Sequence, residues 1–512
     1  MKISVVIVAL FITVLICLLV WAKLRTDHWV LELNSVGTYS SPRAVDLNAD
    51  GILDIVIGGG GLEYESSEFG VVAINGTDGS LLWKVPARNQ VVGSAIFSDI
   101  GSDGIPDVFI GGRSAQLWAI NGKTGQVIWE YLPSYPSMDL KNDITLLNFF
   151  NPQWIPDQNT DGIKDILVAF GGFVKAAPEE TDRPTGYLMV IDAKNGKALA
   201  KAAMPDGKET YCSPLLFDFN GNGDPTVIYG SGGETINGGL YAIPLSDVMN
   251  ADLTVSVKLA DGNGKGFMAP PVLVDITRDA IPDVITNSFD GRTMAFDGTD
   301  FHILWERRPG NNLETYTTVA PIDMNRDGTL DFFSTYGIGT WPNIDTSIQV
   351  VLDGTNGEEL FRDEMGTLQY SSPVVFDFTD DGNLDVLLST NYVTASPDTL
   401  DQRIGNETQQ RHFTENRVFD LTNGTNYRFG ESVKGKNLSS TPLITNLDDD
   451  GKIDIIVCRM SYAKDFFTEK GLVIERFEMD LPTEDIEWGS YMGSTFDGIY
   501  PSSENSSKKT VQ

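Results

Sequence analysis

DLNADGILD, residues 46–54, alternates oxygen-bearing side chains with turn formers and stands between two short apolar runs. The pattern returns as DIGSDGIPD from Asp99, DQNTDGIKD from Asp157, DFNGNGDPT from Asp218 and DITRDAIPD from Asp275. It returns again as DMNRDGTLD from Asp323, DFTDDGNLD from Asp377 and NLDDDGKID from Asn446. Successive copies lie 53, 58, 61, 57, 48, 54 and 69 residues apart. Self-similarity at such a period marks a repeat architecture, and it overrides the expectation of several domains that 512 residues would raise.

Each copy follows a segment such as SSPRAV, SSPVVF or STPLIT and precedes one such as IVIGG, VFIGG, ILVAF or IIVCR. Short runs rich in Val, Ile and Phe, punctuated by Gly, read as buried strands. A second pair follows in VVAINGTDGSLLW, LWAINGKTGQVIW, TMAFDGTDFHILW and VVLDGTNGEELF, where Asn-Gly or Asp-Gly chemistry turns one strand into the next. Four antiparallel strands per unit predict a propeller blade. The eighth unit has a third strand at GLVIERF but no obvious fourth downstream, whereas HWVLELNSVGTYSSP upstream matches LFRDEMGTLQYSSP. The stretch from Trp29 to Leu33 is therefore expected to close the ring as the outer strand of the last blade. The sequence reads as an all-β, eight-bladed propeller over residues 28–485, with a hydrophobic helix in 1–27 and a strap and disordered tail in 486–512.

The nine-residue strings are candidate metal loops. Oxygen side chains at positions 1, 3, 5 and 9, a turn glycine at 6 and a carbonyl at 7 suit calcium, which takes six to eight oxygens; zinc and copper would want N or S ligands. The candidate ligands are Asp46, Asn48, Asp50 and Asp54; Asp99, Asp103 and Asp107; Asp157, Asn159, Asp161 and Asp165. They continue with Asp323, Asn325, Asp327 and Asp331; Asp377, Asp381 and Asp385; Asn446, Asp448, Asp450 and Asp454. Gly101 and Thr379 at position 3 imply that water completes those two loops. Thr277 with Ala280 makes the Asp275 loop doubtful, and Asn222 with Thr226 makes the Asp218 loop an empty or weak one. The expected role of the metal is structural, because clustered carboxylates without it repel one another.

With the loops laid out, the chain resembles the FG-GAP, integrin-α-type propeller repeat family in DGILDIVIGGG and DGIPDVFIGGR. The second halves resemble the tryptophan-docking repeat of PQQ-like propellers, in AINGTDGSLLW to Trp83, AINGKTGQVIW to Trp129 and AFDGTDFHILW to Trp305. That resemblance implies aromatics that pack blade on blade, with Ala200 and Phe361 as departures. The FG-GAP resemblance implies adhesion, ligand binding or surface scaffolding.

Composition bounds the function. With 37 basic and 71 acidic residues, the net charge of −34 opposes nucleic-acid binding. Three cysteines cannot form a disulfide framework, and Cys212 and Cys458 read as buried thiols rather than a pair. Lys2 precedes an apolar run from Ile3 to Ala22 closed by Lys23 and Arg25, long enough for a membrane anchor and also readable as a signal. The bulk of the chain is thus expected outside the cytoplasm, anchored or secreted.

Catalytic residues are not expected. Quinoprotein dehydrogenases of this fold carry an adjacent cysteine pair that is absent here. A calcium-bearing polysaccharide lyase is the rival, needing a base near the metal; His28 and His302 read as structural, and His412 lies in an insertion. The calcium loops should share one face of the disc. Long insertions at 171–186, 336–346, 390–416 and 460–470 should share the other, with Tyr336, Trp341, Tyr392, Phe413 and Tyr462 beside Arg411 and Arg459. Tyr336, Trp341, Tyr392, Arg459 and Tyr462 are the candidate contacts for a protein or glycan partner.

Overall fold

The computed structural model describes residues 28–131 and 143–501, apart from 174, 178–179, 342, 368–369, 396–409, 463–467 and 484–485. The apolar run at 3–22 and the tail beyond 501 lie outside the described residues. Among the described residues, no helix is long and apolar enough to cross a membrane.

Eight antiparallel sheets follow one another along the chain. Blade 1 runs through Arg43–Val45, Asp54–Gly58, Ser67–Ile74 and Leu81–Ala87, from first strand to fourth. Blades 2 to 7 repeat this order, and blades 3 and 6 each add a two-residue strand, Asn148–Phe149 and Leu313–Glu314. The last sheet is built from Leu443–Thr445, Lys452–Met460 and Leu472–Pro482, with His28–Leu33 as its outer strand. That N-terminal strand pairs Trp29 with Arg476 and Leu33 with Leu472, so the ring closes by a splice of the two ends of the chain. Splicing removes the free edges that an open ring would expose.

Second and third strands are wholly buried over most of their length, as in DIVIG of blade 1 and DVFIGG of blade 2. Each therefore reads as a continuous apolar run rather than an alternating one. The expected aromatic packing is present at four seams. The indole N–H of Trp29 donates to Gly76 O, Trp83 to Gly122 O, Trp129 to Ala193 O and Trp305 to Gly354 O, each in the next blade. Each ring lies against a glycine of that same turn, Gly79, Gly125, Gly196 or Gly357, where a side chain would collide with it. Cys212 and Cys458 are free and buried, and burial pushes both thiols up to about 12.

Residues 486–501 belong to the stretch read from the sequence as a strap. They form a loop within the ring of first strands. Val375 N donates to Trp488 O, Ile444 N to Gly489 O and Leu273 N to Gly498 O. Arg43 donates to Ser490 Oγ and lies 3.8 Å over the Phe496 ring, and Gln153 Nε2 reaches Phe496 O. First strands of blades 1, 3, 5, 7 and 8 thus grip one loop, which fills the axial channel.

Candidate functional site

The nine-residue loops join first to second strands, so all eight emerge on one face, together with the turns joining third to fourth strands. Their backbone is uniform. Position 4 adopts positive φ in every copy: Ala49, Ser102, Thr160, Gly221, Arg278, Arg326, Asp380 and Asp449. Position 6 does so too, and Ala280 adopts φ +71° where the other seven copies have Gly. The Asp275 loop therefore keeps its shape, at a cost of about 1 kcal/mol for a Cβ in that region.

The first aspartate folds inward over its own loop. Asp46 Oδ2 accepts from Gly51 N at 3.1 Å, and the same position-6 N–H is bound by Asp99, Asp157, Asp218, Asp275, Asp323 and Asp377. Position 9 is a buried brace. Asp54 accepts from Leu47 N and from Gly76 N in the turn that receives Trp29. Asp107, Asp283 and Asp331 bind Gly122, Gly298 and Gly354 in the same way. Burial pushes Asp54, Asp165 and Asp331 up to about 6 and Asp385 to about 7, with the loop's other carboxylates adding to the rise in three of them.

Several loop oxygens fit a hard cation. Asp323 Oδ1, Asn446 Oδ1 and Asp385 Oδ1 are buried without a hydrogen-bond partner among the described residues. Asp448, Asp450 and Glu478 bring carboxylate oxygens within 4.8 Å of one another. The eighth loop also holds a cation of its own: buried Arg476 lies 2.6 Å from Asp454, 3.1 Å from Asp448 and 3.6 Å from Glu478. Neither Arg476 nor Glu478 is legible as a loop residue, because both sit 22 or more positions downstream on the third strand.

The opposite face departs from expectation. Tyr336 is not a surface contact. The stretch 336–346 is no open loop but the end of a long hairpin, Asp331–Thr340 with Asn343–Leu352. Strand alternation turns the Tyr336 ring into the seam with blade 5, fully buried, its hydroxyl bonded to Thr293. Tyr392 likewise lies in a strand, Asp385–Ala395, half-buried and paired with Phe413. Arg459 is half-buried within reach of Glu475 and Glu32, and Tyr462 is half-buried. His412 is buried, and the side chain of Arg411 lies outside the described residues. Among the described residues, Trp341 of these five meets a larger aromatic group, edge-on to Tyr370 at 5.5 Å.

That group stands on the linkers between blades. Tyr39, Tyr211, Tyr316 and Tyr370 each precede a Ser, Thr or Cys pair at the entrance to a first strand, and all four are half-buried. Tyr316 and Tyr370 stack at 3.9 Å, and Phe289 stacks on Tyr316 at 6.0 Å. Tyr39 Oη donates to Glu469 at 2.6 Å, and Tyr211 Oη to Glu209 at 3.2 Å. Burial pushes Glu209 and Glu469 up to about 7, with Arg183, 2.8 Å from Glu209, opposing the rise there. The recurring TYSSP, TYCSP and QYSSP strings carried this signal in the sequence.

Comparison with known proteins adds to the geometry. Residues 61–215 match the FAM234A/B beta-propeller family. The chain is similar to chicken (Gallus gallus) Protein FAM234B, 28% identical over 171 residues, which is 32% of this chain and 25% of that protein. It thus matches about a quarter of that relative's length. Among solved structures it is similar to a europium-containing methanol dehydrogenase, with a TM-score of 0.54, 9% identity and 87% of this chain covering 92% of that one. The quinohemoprotein alcohol dehydrogenase of Comamonas testosteroni gives 0.53 at 12% identity, 89% of this chain covering 77%. The exotype rhamnogalacturonan lyase YesX gives 0.51 at 13%, 87% covering 75%. At such identities the solved structures speak to fold alone, and with the eight sheets in hand they identify the chain as a β-propeller.

Proposed function

We propose that this propeller is a non-catalytic binding or scaffold module of FG-GAP type, stabilised by calcium in its strand-one-to-strand-two loops and held at or exported across a membrane. The partner, a protein or glycan, docks on the face opposite those loops. The observation that carries the metal reading is the set of buried loop oxygens without partners, Asp323 Oδ1, Asn446 Oδ1 and Asp385 Oδ1, within a backbone shape common to all eight copies. Oxygens of that kind are costly unless a cation or donor meets them. A binding role is supported by the tying of the titratable groups near the linkers, Glu209 to Arg183 and Glu469 to Tyr39, with His412 buried.

Titration against a calcium-sensitive chromophore tests the metal. Asp323→Ala should remove one site from the count, whereas Asp218→Ala, in the loop ending in Thr226, should leave the count unchanged. Equal counts for wild type and Asp323→Ala would refute the assignment.

A further inference from the structure

A cleft of about 750 Å³ opens on the rim between blades 4 and 5. One wall is the fourth strand of blade 4, Val257–Asp261. The other is the third and fourth strands of blade 5, Arg292–Phe296 and Ile303–Arg307. No indole of blade 4 crosses this seam, because Val257 stands opposite Ala242 where blades 1, 2 and 5 place tryptophan. Fourth strands start at the calcium-loop face, so Ile303 marks that end of the cleft. Arg292, which opens the third strand, and Arg308, which follows the fourth, mark the other.

The two ends differ in chemistry. Leu259, Met294 and Ile303 give the first an aliphatic lining. Ile303 is 49% exposed, and Val257, on the Leu259 side of its strand, is 56% exposed. At the other end buried Asp290 accepts from Arg292 Nε at 2.9 Å and from Arg308 Nη2, so two guanidiniums share one carboxylate. Arg292 is held further by Asp261 O at 2.6 Å and by Glu306 at 3.4 Å. Among the described residues, Arg308 has no hydrogen bond or ion pair besides Asp290, which leaves its Nε and Nη1 hydrogens for a ligand. The acids of the cleft are already met, Asp261 by Lys258 at 2.6 Å and Glu306 and Asp290 by the arginines. An added cation thus finds no unmatched acid here, whereas a carboxylate finds the free edge of a guanidinium.

We propose that this cleft binds an extended segment of a protein partner that carries an aliphatic residue and, four positions on, Asp or Glu. The aliphatic group packs on Leu259 and Ile303, and the carboxylate meets Arg308. Ile303 and Arg308 are five residues apart, roughly 16 Å along a strand, which is the reach of such a segment with alternate side chains turned inward. The lining holds no aromatic face on which a sugar ring could stack, which favours a peptide over an acidic glycan. A net charge of −34 repels an acidic partner elsewhere on the protein, so the free arginine edge singles out this seat. The site lies on the rim and stands independently of docking on the face opposite the calcium loops.

The test is calorimetric titration of the full chain with the capped peptide Gly-Ile-Ser-Val-Ser-Glu-Gly. The controls are copies with Gln for Glu or Ser for Ile, and an oligouronate. The parent peptide should bind below about 1 mM, and either change should weaken it at least about fivefold. Arg308→Gln should erase the preference for Glu over Gln, and Ile303→Ser the preference for Ile over Ser. Both side chains are exposed, so the melting temperature should not move. Trp341→Ala should leave the binding as it was. No binding at about 1 mM, equal binding of the Glu and Gln peptides, or a Glu preference that survives Arg308→Gln overturns the proposal. Arg308-dependent binding of the oligouronate without the peptide would overturn it in favour of a glycan site. Loss of peptide binding in Trp341→Ala would also overturn it, by moving the peptide to the opposite face.

Discussion

Phe301 stands, at φ +62°, where Gly79, Gly125, Gly196 and Gly357 stand in other blades, and the reason lies across the seam. Trp83, Trp129 and Trp305 pair with Ala73, Ala119 and Ala295, whereas in blade 4 the matching position opposite Ala242 is Val257. Lacking an indole from blade 4, the seam is filled from the other side, with Phe301 edge-on to Phe219 at 5.2 Å. Val257→Trp alone should clash with Phe301, and Phe301→Gly alone should leave a gap. Together they rebuild the docking pair, so urea midpoints should show a coupling of about 1 kcal/mol or more in favour of the double variant. Additive effects would contradict this reading. Arg476 offers a second test at this scale. Arg476→Met leaves Asp448 and Asp454 without their buried counter-charge, with an expected loss of about 3–5 kcal/mol in chelator. Glu209 offers a third. Its folded pKa of about 7 lies above its ordinary value, so its stabilisation is full below the usual carboxylate range and is lost as pH rises through 7. Between pH 5 and 8 the wild type should therefore lose stability more steeply than Glu209→Gln; parallel profiles would refute the shift.

Among the elements, the hairpins were the most legible and the axial loop the least. The Asp-Gly and Asn-Gly turns announced third and fourth strands because their glycine has a packing duty: a Cβ on Gly76 would fall 1.9 Å from Leu53 O, and one on Gly354 1.9 Å from Leu330 O. Blade 4 uses a short helix, Leu245–Met249, in that place. The lengthened hairpins of blades 6 and 7 read as insertions because their polar residues, such as NIDTSIQ from Asn343, break the apolar run that marks a buried strand. WGSYMGSTFDG carries no periodicity at all, and nothing local to it shows that it lies among the first strands. Trp488 and Met492 are each 1% exposed there. Truncation after residue 485 should lower the urea midpoint by the equivalent of at least about 3 kcal/mol, the loss typical of one buried tryptophan. An unchanged midpoint would show that the ring stands without its axial loop.

At the scale of the whole molecule, eight copies of one string fixed the blade number, and a leftover fourth strand revealed the splice of Trp29 against the third strand of the last blade. The binding face was less legible. Its candidate aromatics lie in insertions, while the linker tyrosines sit at equivalent repeat positions that only the short TYSSP, TYCSP and QYSSP strings mark in the sequence. The central claim is that calcium in the nine-residue loops, the Asp218 copy excepted, holds the ring together. Its most direct test is the thermal melt of residues 23–512 in millimolar calcium, in magnesium and in chelator. Sites with affinities of about 10⁻⁴ to 10⁻³ M should each add about 1 kcal/mol, so the account predicts a large rise in melting temperature selective for calcium. The same melting temperature in calcium and in chelator would contradict it, and would make the strings acidic turns braced by their own backbone.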